Sequence, residues 1–334
     1  MKRIKTLIVI LTLIMLTGCT SNSEYEGVIN VLNWSSYIPD EVIHDFENKY
    51  NIKVNYGTYS SNEELLAKIT SSKEGTYDVI FPSDYMVELM RQRDLIEPMD
   101  KSKIPNYINL DETFLNQTYD PNNKYTLPFL STIVVIAVNR DYIKDDIRGY
   151  NDLINENYKN NIVILEDQRI IIGMSLLANH YAMNDTNPNS LANAKTWLLK
   201  LKENVKAYDS DSPKSFFLTD EAEIGVMWNA EAELAKLDNP NIEIIYPKEG
   251  HAISTDNYAF AKGAKNKENA YKFINYILET DVQDTITKEY PYISPNKQVK
   301  NSVITTDIIF NNGFYVKNIG DKIRDYDELW AEIK

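Results

Sequence analysis

The sequence predicts an α/β fold in which parallel sheets are covered by helices and the mass is divided over two domains. Three observations carry that expectation. The chain has 334 residues, which at about 150 per domain is enough for two. Hydrophobic residues make up 43% of it, sufficient to fill sizeable cores. From Val28 onward, short apolar runs alternate with amphipathic stretches, the pattern of strands and helices in succession.

Ahead of that alternation stands a different kind of segment. Lys2, Arg3 and Lys5 are basic, and Leu7 to Leu16 carry no charge, too short a run for the roughly 20 apolar residues of a membrane span. Leu16-Thr17-Gly18-Cys19 follows and resembles a bacterial lipoprotein signal, in which small residues precede a cysteine that is lipidated on sulfur. Cys19 is the only cysteine in the sequence. Residues 1–18 are therefore expected to be a signal peptide, Cys19 the lipid attachment point, and residues 19–27 a polar tether. Cleavage removes three positive charges and no negative ones, taking the net charge from −14 to −17. Acyl chains on Cys19 would hold the domain at a membrane surface without spanning it.

The elements then follow in order. Val28 to Leu32 read as a strand, and Pro39 to Asn51 as a helix with Pro39 near its first turn and Val42, Ile43 and Phe46 on one face. Ile52 to Tyr56 is the next strand. Ser61 begins a helix carrying Leu65, Leu66 and Ile69, and Tyr77 to Phe81 is a third strand closed by Pro82-Ser83. This succession implies parallel strands with helical crossovers. Later strands are expected at Asn161 to Leu165, Lys206 to Tyr208, Glu223 to Met227 and Ile242 to Tyr246. Helices are expected at Ile170 to Met183, Ser190 to Glu203, Asn229 to Leu237, Asn266 to Glu279 and Val282 to Glu289. No Pro/Gly/Ser-rich linker interrupts residues 28–334, so two domains must share several chain crossings.

Composition and motifs exclude more than they assign. With 49 acidic against 35 basic side chains, the chain lacks the dense Lys/Arg surface of nucleic-acid binding, and a charged partner is expected to be a cation. His44, His180 and His251 lie far apart, without metal-ligand spacing. No Walker loop, GxGxxG or GxSxG motif is present, so no cofactor and no enzyme activity are expected. Glu166-Asp167 is a carboxylate pair suited to acid–base chemistry, which leaves a lipoprotein hydrolase as a minor alternative.

The positive signal is where rings and acids fall relative to strands, because ligands of open α/β sheets bind beyond the carboxyl ends of the strands. Trp34, Ser35 and Tyr37 follow the first strand; Ser83, Asp84 and Tyr85 follow the third. Asp167 follows the strand ending at Leu165, and Trp228 follows Met227. Rings hold alkyl chains by burial and ammonium groups by cation–π attraction. A desolvated ammonium also needs carboxylates, and Asp167 and Asp256 are available.

At these residues the chain resembles the spermidine/putrescine-binding proteins, receptors of bacterial polyamine ABC transporters. The clearest stretches are Leu32-Asn33-Trp34-Ser35-Ser36-Tyr37-Ile38-Pro39, Tyr77-Asp78-Val79-Ile80-Phe81-Pro82-Ser83-Asp84-Tyr85, Met227-Trp228-Asn229 and Tyr246-Pro247-Lys248-Glu249-Gly250. The resemblance implies a two-lobed periplasmic-binding-protein fold, each lobe a mainly parallel sheet flanked by helices. It places one lobe at residues 28–131 plus 255–300 and the other at 132–254 plus 301–334, with the ligand in the cleft and a monomer presented to a permease. It further implies that Trp34, Tyr37, Tyr85, Trp228 and Tyr292 enclose the methylene chain, that Ser35, Ser83 and Ser210 supply polar contacts, and that Asp167 and Asp256 pair with amines.

The chain departs from the family's spermidine receptors at Ile170, Ser254 and Val316, where an acid, a ring and a glutamine are expected. Glu231 stands where the putrescine-selective branch has an aspartate and is a candidate replacement carboxylate. A receptor for another cation, such as ferric iron held by some of the 23 tyrosines, remains the alternative within the same fold.

Overall fold

The structure, a computed structural model, describes residues 25–35, 37–300 and 306–334. The expected signal peptide and Cys19 lie outside the described residues. The tether expectation runs one residue too far, because Gly27 already pairs with Ile52 in the sheet.

The first lobe opens with β1 (Gly27–Trp34), α1 (Asp40–Tyr50), β2 (Ile52–Tyr59), α2 (Asn62–Ser71), β3 (Val79–Ile80), α3 (Asp84–Gln92) and β4 (Ile96–Glu97). A strand of 14 residues, β5 (Thr126–Asn139), then leads into β6 (Ile162–Ile164), α4 (Gln168–Ala178), α5 (Pro188–Lys202), β7 (Val205–Tyr208), α6 (Lys214–Leu218), β8 (Ile224–Trp228), α7 (Asn229–Asp238) and β9 (Ile242–Ile245). The chain returns through β10 (His251–Ala261) and closes with α8 (Lys267–Ile277), α9 (Thr280–Glu289), α10 (Thr306–Asn311), β11 (Gly313–Tyr315) and α11 (Ile323–Ile333).

Local chemistry explains the early elements. In α1, Val42, Ile43 and Phe46 are buried on one face, Asp40 and Glu41 lie in the first turn, and Asn51 ends the helix with φ 53. Acids at an N-terminus and a left-handed Asn at a C-terminus both favour helix ends. The Ser61 hydroxyl caps α2 by accepting the Glu64 N–H, as a helix-starting serine should.

The strands form one continuous sheet in the order β2-β1-β3-β10-β5-β8-β6-β7, with β4 and β11 also on β10 and β9 on β5. β1 is parallel to β2 and β3, and β6 is parallel to β7 and β8. Between these parallel ends lie β10 and β5, antiparallel to each other and to their outer neighbours β3 and β8. Each belongs to both lobes. Leu127 and Phe129 of β5 pack into one core with Ile29, Val31 and Phe46, whereas Val134, Ile136 and Val138 pack into another with Ile162, Ile164 and Leu198.

Every lobe has a core on each face of its sheet, built by the two-residue alternation of strand side chains. Val31 and Val79 face one first-lobe core and Leu32 and Ile80 the other. Val134 and Ile136 face one second-lobe core and Val135 and Ala137 the other.

The crossing pair carries a bulge. Asp256 lies opposite Leu130 while Asn257 lies opposite Pro128, which leaves Phe129 as the extra residue. Proline has no N–H to give to the ladder and is accommodated in sheets at such irregularities. The bulge sits where the two lobes meet and aims the Asp256 side chain.

Candidate ligand site between the lobes

Element ends deliver the site. Trp34 is the last residue of β1, Ser83 stands at the N-terminus of α3, Asp167 at that of α4, and Trp228 at that of α7. Asp256 comes from the bulge of β10.

Asp256 is the centre of the first-lobe group and is 3% exposed. Ser83 Oγ donates to its Oδ1 at 2.6 Å and the Tyr37 hydroxyl to its Oδ2 at 2.9 Å. Ser83 is itself fixed by Asn62, whose amide donates to Ser83 Oγ at 3.1 Å and whose Oδ1 accepts the Ser83 N–H at 3.2 Å. Burial pushes the Asp256 carboxyl up to about 6, against the opposing pull of the Ser83, Tyr37 and Trp34 donors. No basic side chain is among the groups that set this balance.

The surrounding rings form a cluster. Tyr37 and Tyr292 have centroids 4.5 Å apart, Trp34 and Tyr37 6.2 Å apart at 30°, and Trp34 and Tyr59 4.7 Å apart. The Trp34 indole donates to the Phe81 carbonyl at 3.0 Å, which sets the plane of its ring. Tyr85 donates to Glu63 at 3.1 Å and packs against cores of both lobes. Ser35 is exposed, with its backbone N–H on the Tyr59 carbonyl.

On the second lobe, Asp167 caps α4: its Oδ1 accepts the N–H groups of Arg169 and Ile170 at 2.9 and 3.0 Å. Burial raises its pKa against those bonds. Ser210 Oγ accepts the Glu166 N–H at 2.9 Å. Glu166 is exposed and ion-paired with Lys334, so the neighbouring acids Glu166 and Asp167 serve separate surroundings.

Trp228 is half-buried against the second-lobe core, and the next residue locks it in place. Asn229 Oδ1 accepts from Thr132 Oγ1 at 2.8 Å and from the Ile133 N–H at 3.0 Å, both on the crossing strand. Glu231 is half-buried, its Oε2 has no hydrogen-bond partner, and burial raises its pKa. Its charge reaches Tyr292 across the junction.

The three departures have plain places. Ile170 is 2% exposed and Val316 6% exposed, both within the second-lobe core. The Ser254 carbonyl accepts from Ser131 Oγ at 3.0 Å.

Sequence reasoning noted Asp84 at a strand end and Asn229 within a matching stretch without assigning either to the site, and passed over Asn62 and Arg169. Asp84 is 1% exposed, accepts the N–H groups of Tyr85 and Thr255, and has its pKa raised well above the ordinary value by burial. Its place in Ser83-Asp84-Tyr85 was the signal that could have found it. Among the described residues no three His, Cys, Asp or Glu side chains come together as a metal-holding group. No described helix is long and apolar enough to cross a membrane.

Comparison with known proteins gives a consistent answer. Residues 41–311 match the family model described as bacterial extracellular solute-binding protein. The chain is 34% identical over 313 residues to the spermidine/putrescine-binding periplasmic protein of Salmonella typhimurium, covering 90% of each. The substrate-binding protein PotD of a spermidine/putrescine ABC transporter from Streptococcus pneumoniae superposes with a TM-score of 0.81 at 28% identity, over 92% of this chain and 98% of that one. The TpPotD lipoprotein of Treponema pallidum does so with a TM-score of 0.85 at 26% identity, over 92% and 99%. Sequence and architecture thus agree along nearly the whole described length, and the chain belongs to the family of bacterial extracellular solute-binding proteins.

Proposed function

We propose that this chain is a polyamine receptor, which captures spermidine or putrescine between its lobes and delivers it to the permease of an ABC importer. The observation that carries the reading is Asp256, a buried carboxylate whose donors are all neutral, the Ser83 and Tyr37 hydroxyls and the Trp34 indole, with Tyr37 paired in turn with the ring of Tyr292. A buried acid without a counter-charge is costly, and an ammonium group is the ligand that relieves it. The rings of Trp34, Tyr37 and Tyr292 supply an apolar wall for methylene groups, with cation–π attraction of about 0.5–2 kcal/mol each. Glu231, with an unpartnered buried oxygen, offers a second carboxylate on the opposite lobe.

The lobes are assigned as residues 28–131 plus 255–300 and 132–254 plus 301–334. Closure over the ligand turns on β5 and β10, the adjacent strands in the middle of the continuous sheet that contribute to both lobes. Lipidation of Cys19 would anchor the receptor at the cell surface or in the periplasm; replacing Cys19 with Ser should move the protein from the detergent phase to the aqueous phase on detergent partition.

A thermal-shift panel of putrescine, cadaverine, spermidine and spermine tests the assignment, because a ligand that binds only the native state raises Tm. At 100 times Kd the stabilisation is about 2.7 kcal/mol. A panel in which no polyamine moves Tm overturns the reading.

A further inference from the structure

The end of the first lobe opposite Trp34 and Ser83 carries a cationic surface that ligand capture does not use. β1 is parallel to β3, and β10 is antiparallel to it. The start of β1 at Gly27, the residues before Val79 and the residues after Ala261 therefore share one edge of the sheet. Buried Asp78 knits that edge, accepting the Asn30 N–H at 2.8 Å and the N–H groups of Lys265 and Asn266 at 2.9 Å. Asn269, in α8, donates to the Val28 carbonyl at 3.4 Å, which brings the start of that helix beside the first residues of β1.

A cavity of about 300 Å³ opens here between the last turns of α2 and α3 and the end of β10, with Lys73, Arg93 and Lys262 in its wall. Gly75, with φ 76, lets the turn after α2 lie against the Gly263 carbonyl and the Lys265 side chain. Lys262 is held by Asp94 at 2.9 Å, and Lys267 by Glu97. Lys73, Arg93 and Lys265 are exposed and make no ion pair among the described residues. Apart from Asp94, the acid in the cavity wall is Glu74.

The other end of the same lobe has the opposite sign. Asp40, Glu41 and Glu289 line a cavity of about 470 Å³ with Tyr56 and Thr58 of β2, and no basic side chain is in its wall. The eight residues of β2 span about 26 Å, whereas the Debye length at physiological salt is about 8 Å. The acidic end is thus screened from the cationic pole, and the two surfaces act independently in spite of the net charge of −14.

We infer that this pole of the first lobe is a membrane-docking surface, on which Lys73, Arg93 and Lys265 seat on the phosphates of anionic phospholipids and the cavity beside them admits a headgroup. The position of the pole selects a lipid surface. Residues 19–26 reach no further than about 28 Å even when fully extended, so acyl chains on Cys19 would keep the Gly27 end of the molecule against the bilayer. Lipid anchors are reinforced by basic patches, each Lys or Arg near an anionic surface strengthening binding about fivefold. The inference rests on the Cys19 reading and is independent of the ligand. It leaves the acidic end and the cleft turned away from the bilayer while ligand is captured.

The test is flotation of the mature chain carrying Cys19→Ser, which has no acyl chain, with vesicles of phosphatidylcholine alone or mixed equally with phosphatidylglycerol. Binding to the mixed vesicles is expected to be at least about tenfold stronger than to the neutral ones at low ionic strength. It should vanish at about 1 M salt, where the Debye length is about 3 Å. Reversing the three cations together, by Lys73→Glu, Arg93→Glu and Lys265→Glu, should cut binding at least about tenfold. Three reversals on the second lobe, Lys159→Glu, Lys200→Glu and Lys206→Glu, should change it by less than about twofold. If the triple pole variant does not fold, Lys73→Glu and Lys265→Glu decide singly, each expected to cost about fivefold. Equal binding to both kinds of vesicle, or a loss from the second-lobe variant as large as from the pole variant, overturns the inference. Either result leaves the receptor reading standing, since that reading falls only if no polyamine moves Tm, and the Tm shift of the pole variant should match that of its parent.

Discussion

Replacing Asp256 with Asn separates the two roles of that carboxylate, because the side chain keeps its shape and loses its charge. In the folded protein the group titrates near 6 rather than at 3.8. A folded-state pKa above the unfolded one means that the folded chain holds the proton more tightly. The stabilisation from protonation is complete below about pH 4 and lost as pH rises through about 6. At pH 7 the unliganded protein therefore carries a cost of about 3 kcal/mol, two pKa units at roughly 1.4 kcal/mol each. Asp256→Asn removes it and should raise the Tm of the unliganded protein by several degrees at pH 7, at roughly 2–4 °C per kcal/mol. Ligand binding should move the other way. An ammonium about 4 Å from the carboxylate at an effective dielectric of 20 gains about 4 kcal/mol, and partial desolvation leaves about 2–4, or roughly 30- to 1000-fold in Kd. Differential scanning fluorimetry with and without polyamine, at pH 5 and pH 7, reads both effects. The reasoning is refuted if Asp256→Asn melts below the wild type at pH 7, or if its polyamine-induced shift is undiminished.

Further expectations follow from the same geometry. Tyr37→Phe deletes the 2.9 Å bond to Asp256 and should weaken polyamine binding by about 1.5–3 kcal/mol, the worth of a hydrogen bond to a charged group; unchanged affinity in calorimetry counts against the Tyr37–Asp256 unit. The same variant loses a donor that lowers the Asp256 pKa, so the acid limb of its binding profile should move to higher pH. Glu231→Ala should lower polyamine affinity by at least tenfold, about 1.4 kcal/mol. Equal affinity for every polyamine sinks the assignment of Glu231 as second carboxylate.

The outer parts of the fold were legible because they follow simple periods. Residues 28–81 alternate as strands and helices do, and the structure places β1, α1, β2 and α2 there. The two longest strands were not foreseen. Leu127 to Val138 is buried on both faces, so it shows no polar alternation, and Pro128 argues against a central strand unless a bulge is anticipated. In β10 the run Ser254-Thr255-Asp256-Asn257 looks like a loop, yet Thr255, Asp256 and Asn257 are all buried and bonded. The third strand, read from Tyr77 to Phe81, shortens to Val79–Ile80, and α3 was hidden by the ring and acid at its start. In the site, strand-end rings and acids were readable from position. Arg169 was not, because a lone arginine in a helix resembles any surface cation until the fold brings Tyr85 and Tyr326 to its two sides.

The place of β10 in the sheet also dictates when the molecule can assemble. This single strand pairs with β3, β4, β5 and β11, so both lobes lack an inner strand until Ala261 has been synthesised and exported. A shorter nascent chain exposes the edge of β5, with its continuous apolar run, and such edges invite mispairing. Productive folding is consequently a late event, after more than three quarters of the chain has emerged. Truncations that end before Ala261 should yield aggregates and not an independently folded first lobe.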